Sequence, residues 1–355
     1  MIVCALGLPS AFATYGFNLV HRLAGALDPD VLFVAGCTPD QFKDPISQRG
    51  KRAVVLCSDN LDVRIMASLT RIGVPIVAFA ENLDDCAGFT VAARETDLRT
   101  AIQIVAQSAA CLAPYLDAPS LTMLRRPAGA MSLEALVEEV CEACRFSIEP
   151  DALQRVVKSL APAASDAASE TIESQLALHV PQTRPTGAYA KSMSPEDHRL
   201  VTDALDSYTT LLDGEVPEFR WPTRMFRDSF RTDEAIEGPV DLTGPARYLM
   251  FGPLLHLPPG RWRASIVFRV DDNLSGNTLM SDVVADNQIC NTGEGVLPPS
   301  GVFSFEIDFV VRDPRLPVAV RLATRSGAIE GTLELLSAGV RELADDEEFI
   351  TRSVS

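Results

Sequence analysis

Apolar residues in the first 160 positions come in short unbroken runs separated by stretches of helical period. From about residue 235 they fall instead at alternate positions. The runs are Met1–Leu6, Val31–Ala35, Val54–Cys57, Ile76–Ala80 and Leu121–Leu124. A strand that is apolar on both faces belongs inside a parallel sheet covered by helices. Between the runs, 14–23 and 60–72 have helical period. The second of these starts near Asn60 or Asp62 and is stopped by Gly73 and Pro75. Thr96 is placed to cap a long helix through Tyr115, and Ser132 one that carries Leu133, Leu136, Val137 and Val140. Strand alternating with helix predicts right-handed crossovers and a three-layer α/β domain over residues 1–160.

In 261–270 the even positions Trp262, Ala264, Ile266, Phe268 and Val270 share one face, opposite Arg261, Arg263, Ser265 and Arg269. In 302–311 the odd positions Phe303, Phe305, Ile307, Phe309 and Val311 do the same. Strands with one wet face, joined by Pro, Gly and Asn turns, predict an antiparallel β-sandwich or jelly roll over 235–343. Residues 161–234 read as a linker. Its first part is rich in Ala and Ser, with a transient helix around 169–178, and an amphipathic helix follows over 195–213. That helix repeats Leu200, Val201, Ala204, Leu205, Tyr208, Leu211 and Leu212 at helical spacing, so its apolar face must dock on the first domain or on a second copy. Residues 344–355 read as a frayed acidic tail.

Composition narrows the partners. A chain of 355 residues with 47% apolar content has ample core for two domains. Its formal charge of −17, with no local run of Lys or Arg, opposes binding to nucleic acid and to anionic membranes. No apolar run reaches the ~20 residues of a membrane span. The first residues lack the basic start of a signal peptide, so a cytoplasmic location is expected. Seven of the eight cysteines precede residue 150, mostly in apolar elements, as reduced buried thiols would. Cys141 and Cys144 lie within one helix and, without a second pair or a His cluster, do not make a zinc site. The four histidines are scattered, and no metal is expected. Asp271–Asn277, with Asp282 and Asp286, has the oxygens of a calcium loop, but equally the composition of a hairpin turn.

The candidate chemistry begins between the first strand and helix, at Gly7-Leu8-Pro9-Ser10-Ala11-Phe12-Ala13-Thr14. A phosphate loop has Gly where Phe12 stands and Lys where Ala13 stands. The segment resembles the sulfotransferase-like P-loop family, whose loop runs Gly-x-Pro-(Arg/Lys)-Ser-Gly-Thr-Thr. Gly7, Pro9 and Thr14 match, while Ser10, Ala11, Phe12 and Ala13 depart from it. The resemblance implies a sulfotransferase-like fold over about 160 residues and an adenylyl sulfate donor if the domain is active. The nucleotide would then sit near Gly7, Ser10, Thr14, Ser58 and Asp59, at the carboxyl ends of the strands. No catalytic residue is named by the sequence, and the altered loop points to a non-catalytic or weakly active domain that needs no cofactor. Phe12 is also of a size to pack inward and fill the vacated site.

The stretch Phe251–Arg263 resembles the β-sandwich modules appended to bacterial glycan-related enzymes, of the carbohydrate-binding type. That resemblance implies a glycan ligand, with a protein partner as the other reading. Trp221, between Pro217 and Pro222 and flanked by Arg220 and Arg224, is the expected surface aromatic, or else a pin for the linker. Arg261, Arg263 and Arg269 share the wet face and either meet an acidic glycan or pair with Glu306, Asp308 or Glu334. An active sulfotransferase or glycan-modifying enzyme, and a structural homodimer through the 195–213 helix, are the alternatives.

Overall fold

The computed structural model describes residues 1–348 apart from 37, 49, 51, 128–130, 161–169, 233 and 345, with the side chains of 44, 45 and 48 also excepted. The chain divides into two compact units, Met1–Pro195 and Glu196–Ser355. The first is built on a five-stranded parallel sheet of β1 (Ile2–Gly7), β2 (Leu32–Ala35), β3 (Val54–Ser58), β4 (Ile76–Ala80) and β5 (Leu121–Arg125), in the order β2-β3-β1-β4-β5. From β1 the chain moves outward to β2, and every later crossover runs back the other way. Right-handed connections therefore send α1 (Ala11–Leu27) to one face and the helices after β2, β3 and β4 to the other. Those helices are α2 (Pro39–Gln48), α3 (Val63–Arg71), α4 (Leu83–Arg94) and α5 (Leu98–Leu112). The direction reverses at β1, which opens a crevice at the carboxyl ends of the central strands.

α1 lies against the sheet because two positions carry no side chain. A Cβ at Gly7 would meet the Ala13 Cβ at 2.4 Å, and one at Gly16 would meet the Phe79 ring at 2.5 Å. Around α1 the same core takes in α6 (Leu133–Cys144), α7 (Pro150–Leu160) and α8 (Ile172–His179) through Leu136, Val140, Val157 and Leu176. α8 and the short α9 (Ala188–Ser192) fall where the linker was expected. Ile172, Leu176 and Val180 instead belong to the α/β core, and the Tyr189 ring fills the space beside Gly88 on α4. The helix expected from Thr96 is α5, capped one residue later by Asp97, which accepts from the Thr100 N–H. α4 was not expected at all.

In the second unit, α10 (Pro195–Leu212) precedes the short strands β6 (Phe219–Arg220), β7 (Arg227–Asp228) and β8 (Val240–Asp241). The long strands are β9 (Tyr248–Leu255), β10 (Gly260–Asp271), β11 (Asn277–Ala285), β12 (Gln288–Leu297), β13 (Gly301–Val311), β14 (Val318–Thr324) and β15 (Thr332–Glu342). They form two antiparallel sheets, β13-β10-β15-β6 with β8 also on β15, and β12-β11-β14-β9-β7. The alternation predicted for β10 and β13 holds, with Trp262, Ile266, Phe268, Ile307 and Phe309 all in the core. The apolar residues of α10 are buried within this unit. Tyr208 packs edge-on to Phe219 at 4.9 Å between ring centroids, and its hydroxyl donates to the His256 carbonyl. Tyr208 thereby ties this face of α10 to its own unit.

Candidate functional site

β1 ends at Gly7, and the chain turns into α1 at Ser10, whose extended backbone (φ −151°, ψ 165°) makes it the N-cap. The Ser10 Oγ accepts from the Ala13 N–H at 3.0 Å, and the Thr14 hydroxyl donates to the Ser10 carbonyl at 2.8 Å. Two groups that a phosphate loop turns toward its ligand, the Ala13 N–H and the Thr14 hydroxyl, are in this way both engaged with Ser10. A third is taken as well, since the Phe12 N–H donates to Glu81 Oε2 at 3.4 Å. Glu81 follows β4, next to β1 in the sheet. The Arg126 guanidinium holds it in place, and both side chains are 3% exposed. Arg126 in turn reaches Glu173 at 2.6 Å and the Arg184 carbonyl at 3.2 Å. Burial opposes the charge of Arg126, but the two carboxylates outweigh it and raise its pKa, so it stays a cation. Burial pushes the Glu81 carboxyl above the usual carboxylate range, against the pull of Arg126.

Phe12 does not fill the space above the loop. It is fully buried in the core, edge-on to Phe79 at 5.5 Å. The crevice is an open cavity of about 580 Å³, bounded by the loop and by the ends of β2 and β3. Ser10, Thr14, Ser58 and Asp59 all line it, and Gly7 lies at the end of β1, where only a glycine lets α1 approach. The structure thus brings together four of the five residues expected around a nucleotide. Asp59 is ion-paired with Arg94 from α4, and Asn60 is tied to Gln107 at 3.0 Å. His179 also borders the cavity, with its Nε2 3.2 Å from the Leu160 carbonyl. At the same rim, burial drives the Cys57 thiol pKa upward, which disfavours its thiolate. Phe17, Phe33 and Phe89 supply apolar wall, and Gln182 adds a further polar residue.

In the second unit the expected ligand residues scatter. Trp221 is not a surface aromatic, since it is 2% exposed. Its backbone N–H extends the β6–β15 pairing by donating to the Ala338 carbonyl at 2.9 Å, which turns the ring inward. Arg263 is buried in a bidentate pair with Asp308, at 2.7 and 2.9 Å, and Asp308 is 0% exposed. Arg261 donates to the carbonyls of Ala344 and Glu347, and Arg269 pairs with Glu334 at 2.9 Å. The wet face is therefore internally paired, which was the plainer of the two readings. The segment expected to fray is fastened up to Glu348, because Glu347 grips Arg341 and Arg263. The Arg341 guanidinium holds the Glu347 carboxyl down at about 2. Arg220 is exposed, and Arg224 lies 3.8 Å from Glu196.

Asp282 and Asp286, considered as calcium ligands, are engaged elsewhere. Asp282 is paired with Arg321 at 2.6 and 2.7 Å, and Asp286 accepts from the Asp313 N–H. Among the described residues no group of three or more His, Cys, Asp or Glu side chains is arranged to hold a metal. Among the same residues no helix is long and apolar enough to cross a membrane. Sequence reasoning missed Glu81, Arg126 and Arg94. Position was the available signal for Glu81, a carboxylate directly after a buried strand and thus at the crevice end of the sheet.

No family model matches the chain, and no curated protein matches it. Among solved structures, a mouse sulfotransferase complexed with PAP is similar at 10% identity, over 60% of this chain and 87% of that one, with a TM-score of 0.39. A family 61 carbohydrate-binding module complexed with β-1,4-galactotriose is similar at 12% identity, over 33% of this chain and 81% of that one, with a TM-score of 0.23. The C-terminal family 6 carbohydrate-binding module of a laminarinase from Zobellia galactanivorans is similar at 15% identity, over 35% and 88%, with a TM-score of 0.22. Likenesses of this size leave ligand and activity to the chain's own residues.

Proposed function

We propose that the chain recognises a carbohydrate through its β unit, and that its α/β unit is a degenerate sulfotransferase-like domain without nucleotide-dependent transfer. The observation that carries the second half is the Glu81 carboxyl at the start of α1. It accepts from the backbone N–H of Phe12, where a phosphate oxygen would otherwise be received, and Arg126 locks it there. A nucleotide phosphate would have to displace a buried side chain and meet its charge, with no Lys in the loop to compensate. Titration calorimetry with adenosine 3′,5′-bisphosphate and with its sulfonated donor is expected to give no saturable heat. Saturable binding that is lost on Thr14→Val would overturn this half.

The glycan half rests on Tyr248 of β9 and the Arg321–Asp282 pair beside it. Tyr248, 39% exposed, lies over the Arg321 guanidinium at 4.8 Å, and its hydroxyl reaches Asp282 at 3.3 Å. An aromatic ring beside a fixed guanidinium–carboxylate pair offers both a stacking face and directed hydrogen bonds to hydroxyls. Retention of the chain on immobilised neutral polysaccharide, eluted by soluble oligosaccharide, tests it. The active-transferase reading is favoured by one observation, the open cavity beside Ser10, Thr14, Ser58 and Asp59. The same calorimetry decides between the two.

A further inference from the structure

β12 ends its sheet among the described residues, with β11 on one side and no strand on the other. Folded proteins blunt such an edge with Lys, Pro or a covering segment, as β6 and β8 do for β15. β12 holds no Lys, Arg, Asp or Pro. Its one charge, Glu294, is neutralised by Arg325 of the same chain. A bulge sets Cys290 out of register near one end, and 291–297 pair regularly with β11. At the edge of the facing sheet, the Asp308 carbonyl of β13 is covered by Asn291 Nδ2 at 2.9 Å.

The ladder decides which groups face the open side. The Arg325 N–H donates to the Thr278 carbonyl, so along β11 the even positions bond toward β14 and the odd ones toward β12. Opposite those odd positions stand Asn291, Gly293, Gly295 and Leu297, which leaves the backbone groups of Thr292, Glu294 and Val296 pointing outward. The Thr292 N–H is held locally by Asn291 Oδ1 at 2.9 Å. The Thr292 carbonyl and both groups of Glu294 and Val296 have no partner among the described residues.

The side chains of this strand match themselves about a two-fold axis. Val296 shares the outer face with Thr292 and Glu294, and the bulge brings Ile289 onto it as well, opposite Val284. These two apolar residues sit at opposite ends of the strand, 54% exposed at Ile289 and 74% at Val296. Antiparallel pairing of two copies about Gly293 sets Thr292 opposite Glu294 twice, and Val296 opposite the bulged Ile289–Cys290 end twice. A one-residue shift would turn the faces over. A two-residue shift one way opposes Glu294 to Glu294, which like charges disfavour, and the other way carries Val296 beyond the partner strand.

We infer that two copies of this chain pair antiparallel along β12, joining their five-stranded sheets into one across a two-fold axis. Each copy offers one self-matching edge, so the pairing closes as a dimer.

Sedimentation equilibrium of the full-length chain, over a micromolar dilution series and in salt that screens two bodies of charge −17, tests this. The expected mass is about twice the 38.4 kDa of one chain, falling toward that value on dilution. Val296→Lys, at an exposed position, should leave a monomer with unchanged circular dichroism. Thr292 reads the register. Thr292→Lys puts two Lys–Glu294 pairs across the axis and should tighten the dimer by roughly 2- to 30-fold, and Thr292→Glu should loosen it by a similar factor. A monomer at every concentration overturns the inference. So does a dimer that Val296→Lys leaves intact, or one that Thr292→Lys and Thr292→Glu move alike.

Discussion

Replacing Arg126 by Met tests whether the start of α1 is held by a buried ion pair. Methionine matches the length of the arginine stem and removes its charge. Glu81 then sits 3% exposed with only the Phe12 N–H for support. Removing one partner of a buried pair costs about 3–5 kcal/mol, because the other is stranded in a medium that solvates it poorly. The bond to Glu173, itself 47% exposed, adds at most about 1 kcal/mol. For a domain of this size each kcal/mol lowers the midpoint by about 2–4 °C, so a fall of about 6–20 °C is expected. The assay is a thermal melt followed by far-ultraviolet circular dichroism. It has a pH arm with a definite sign. Burial already raises the Glu81 pKa, and without Arg126 the carboxyl takes up a proton more readily still. The penalty should therefore be largest near pH 8 and shrink as the pH falls toward 5. Adding Glu81→Gln to Arg126→Met should recover much of the loss at pH 8 while still accepting from Phe12. A loss under about 1 kcal/mol at pH 8, or a double variant no better than the single one, would refute the role given to the pair.

Three further outcomes follow from the packing. Gly16→Ala drives a methyl to within 2.5 Å of the Phe79 ring and should destabilise the α/β unit by about 1–3 kcal/mol in urea melts, against the usual gain from Gly to Ala in a helix. Burial holds the His256 imidazole down at about 4, so its contribution is complete above pH 6.5 and is lost as the pH falls from 6.5 through 4. The loss should approach about 3 kcal/mol, and His256→Asn should flatten that part of the stability profile. Arg263→Ala removes the bidentate partner of the fully buried Asp308 and should cost about 3–5 kcal/mol in denaturant titration, while leaving neutral oligosaccharide binding unchanged.

The strands were legible because their surroundings are uniform. Val54–Ser58 and Ile76–Ala80 are apolar throughout since both faces are covered, and β10 alternates since one face is wet. α4 escaped for a related reason. Leu83, Cys86, Ala87, Phe89 and Thr90 are all buried, so the helix shows no stripe, and Gly88 in its middle serves the close approach of Tyr189. Trp221 was misplaced because Pro and Arg neighbours describe the chain around a residue, not the direction of its ring. The loop residues Ser10 and Thr14 were findable from one local motif, and Ser58 and Asp59 from the end of a neighbouring strand. Glu81 carried the same signal of position at a strand end, but its ties to Arg126 and to the Phe12 N–H lie in a contact between the ends of β4 and β5 and the start of α1, which no spacing along the chain encodes.

Two of the shortest pairings in the β unit, both on β15, bear on how the protein behaves in company. β15 is eleven residues long, and on one side it has no full-length neighbour. β8 covers it at Thr332 and Leu333, and β6 covers it at Gly339 and Val340. An uncovered strand edge of that length would be a template on which another chain could add, the first step toward fibrils. Two clips, each only two residues long, reduce the open edge to the stretch around Glu334–Ser337, too short to register an incoming strand. Loosening either clip would turn a solubility safeguard into a nucleus for self-association.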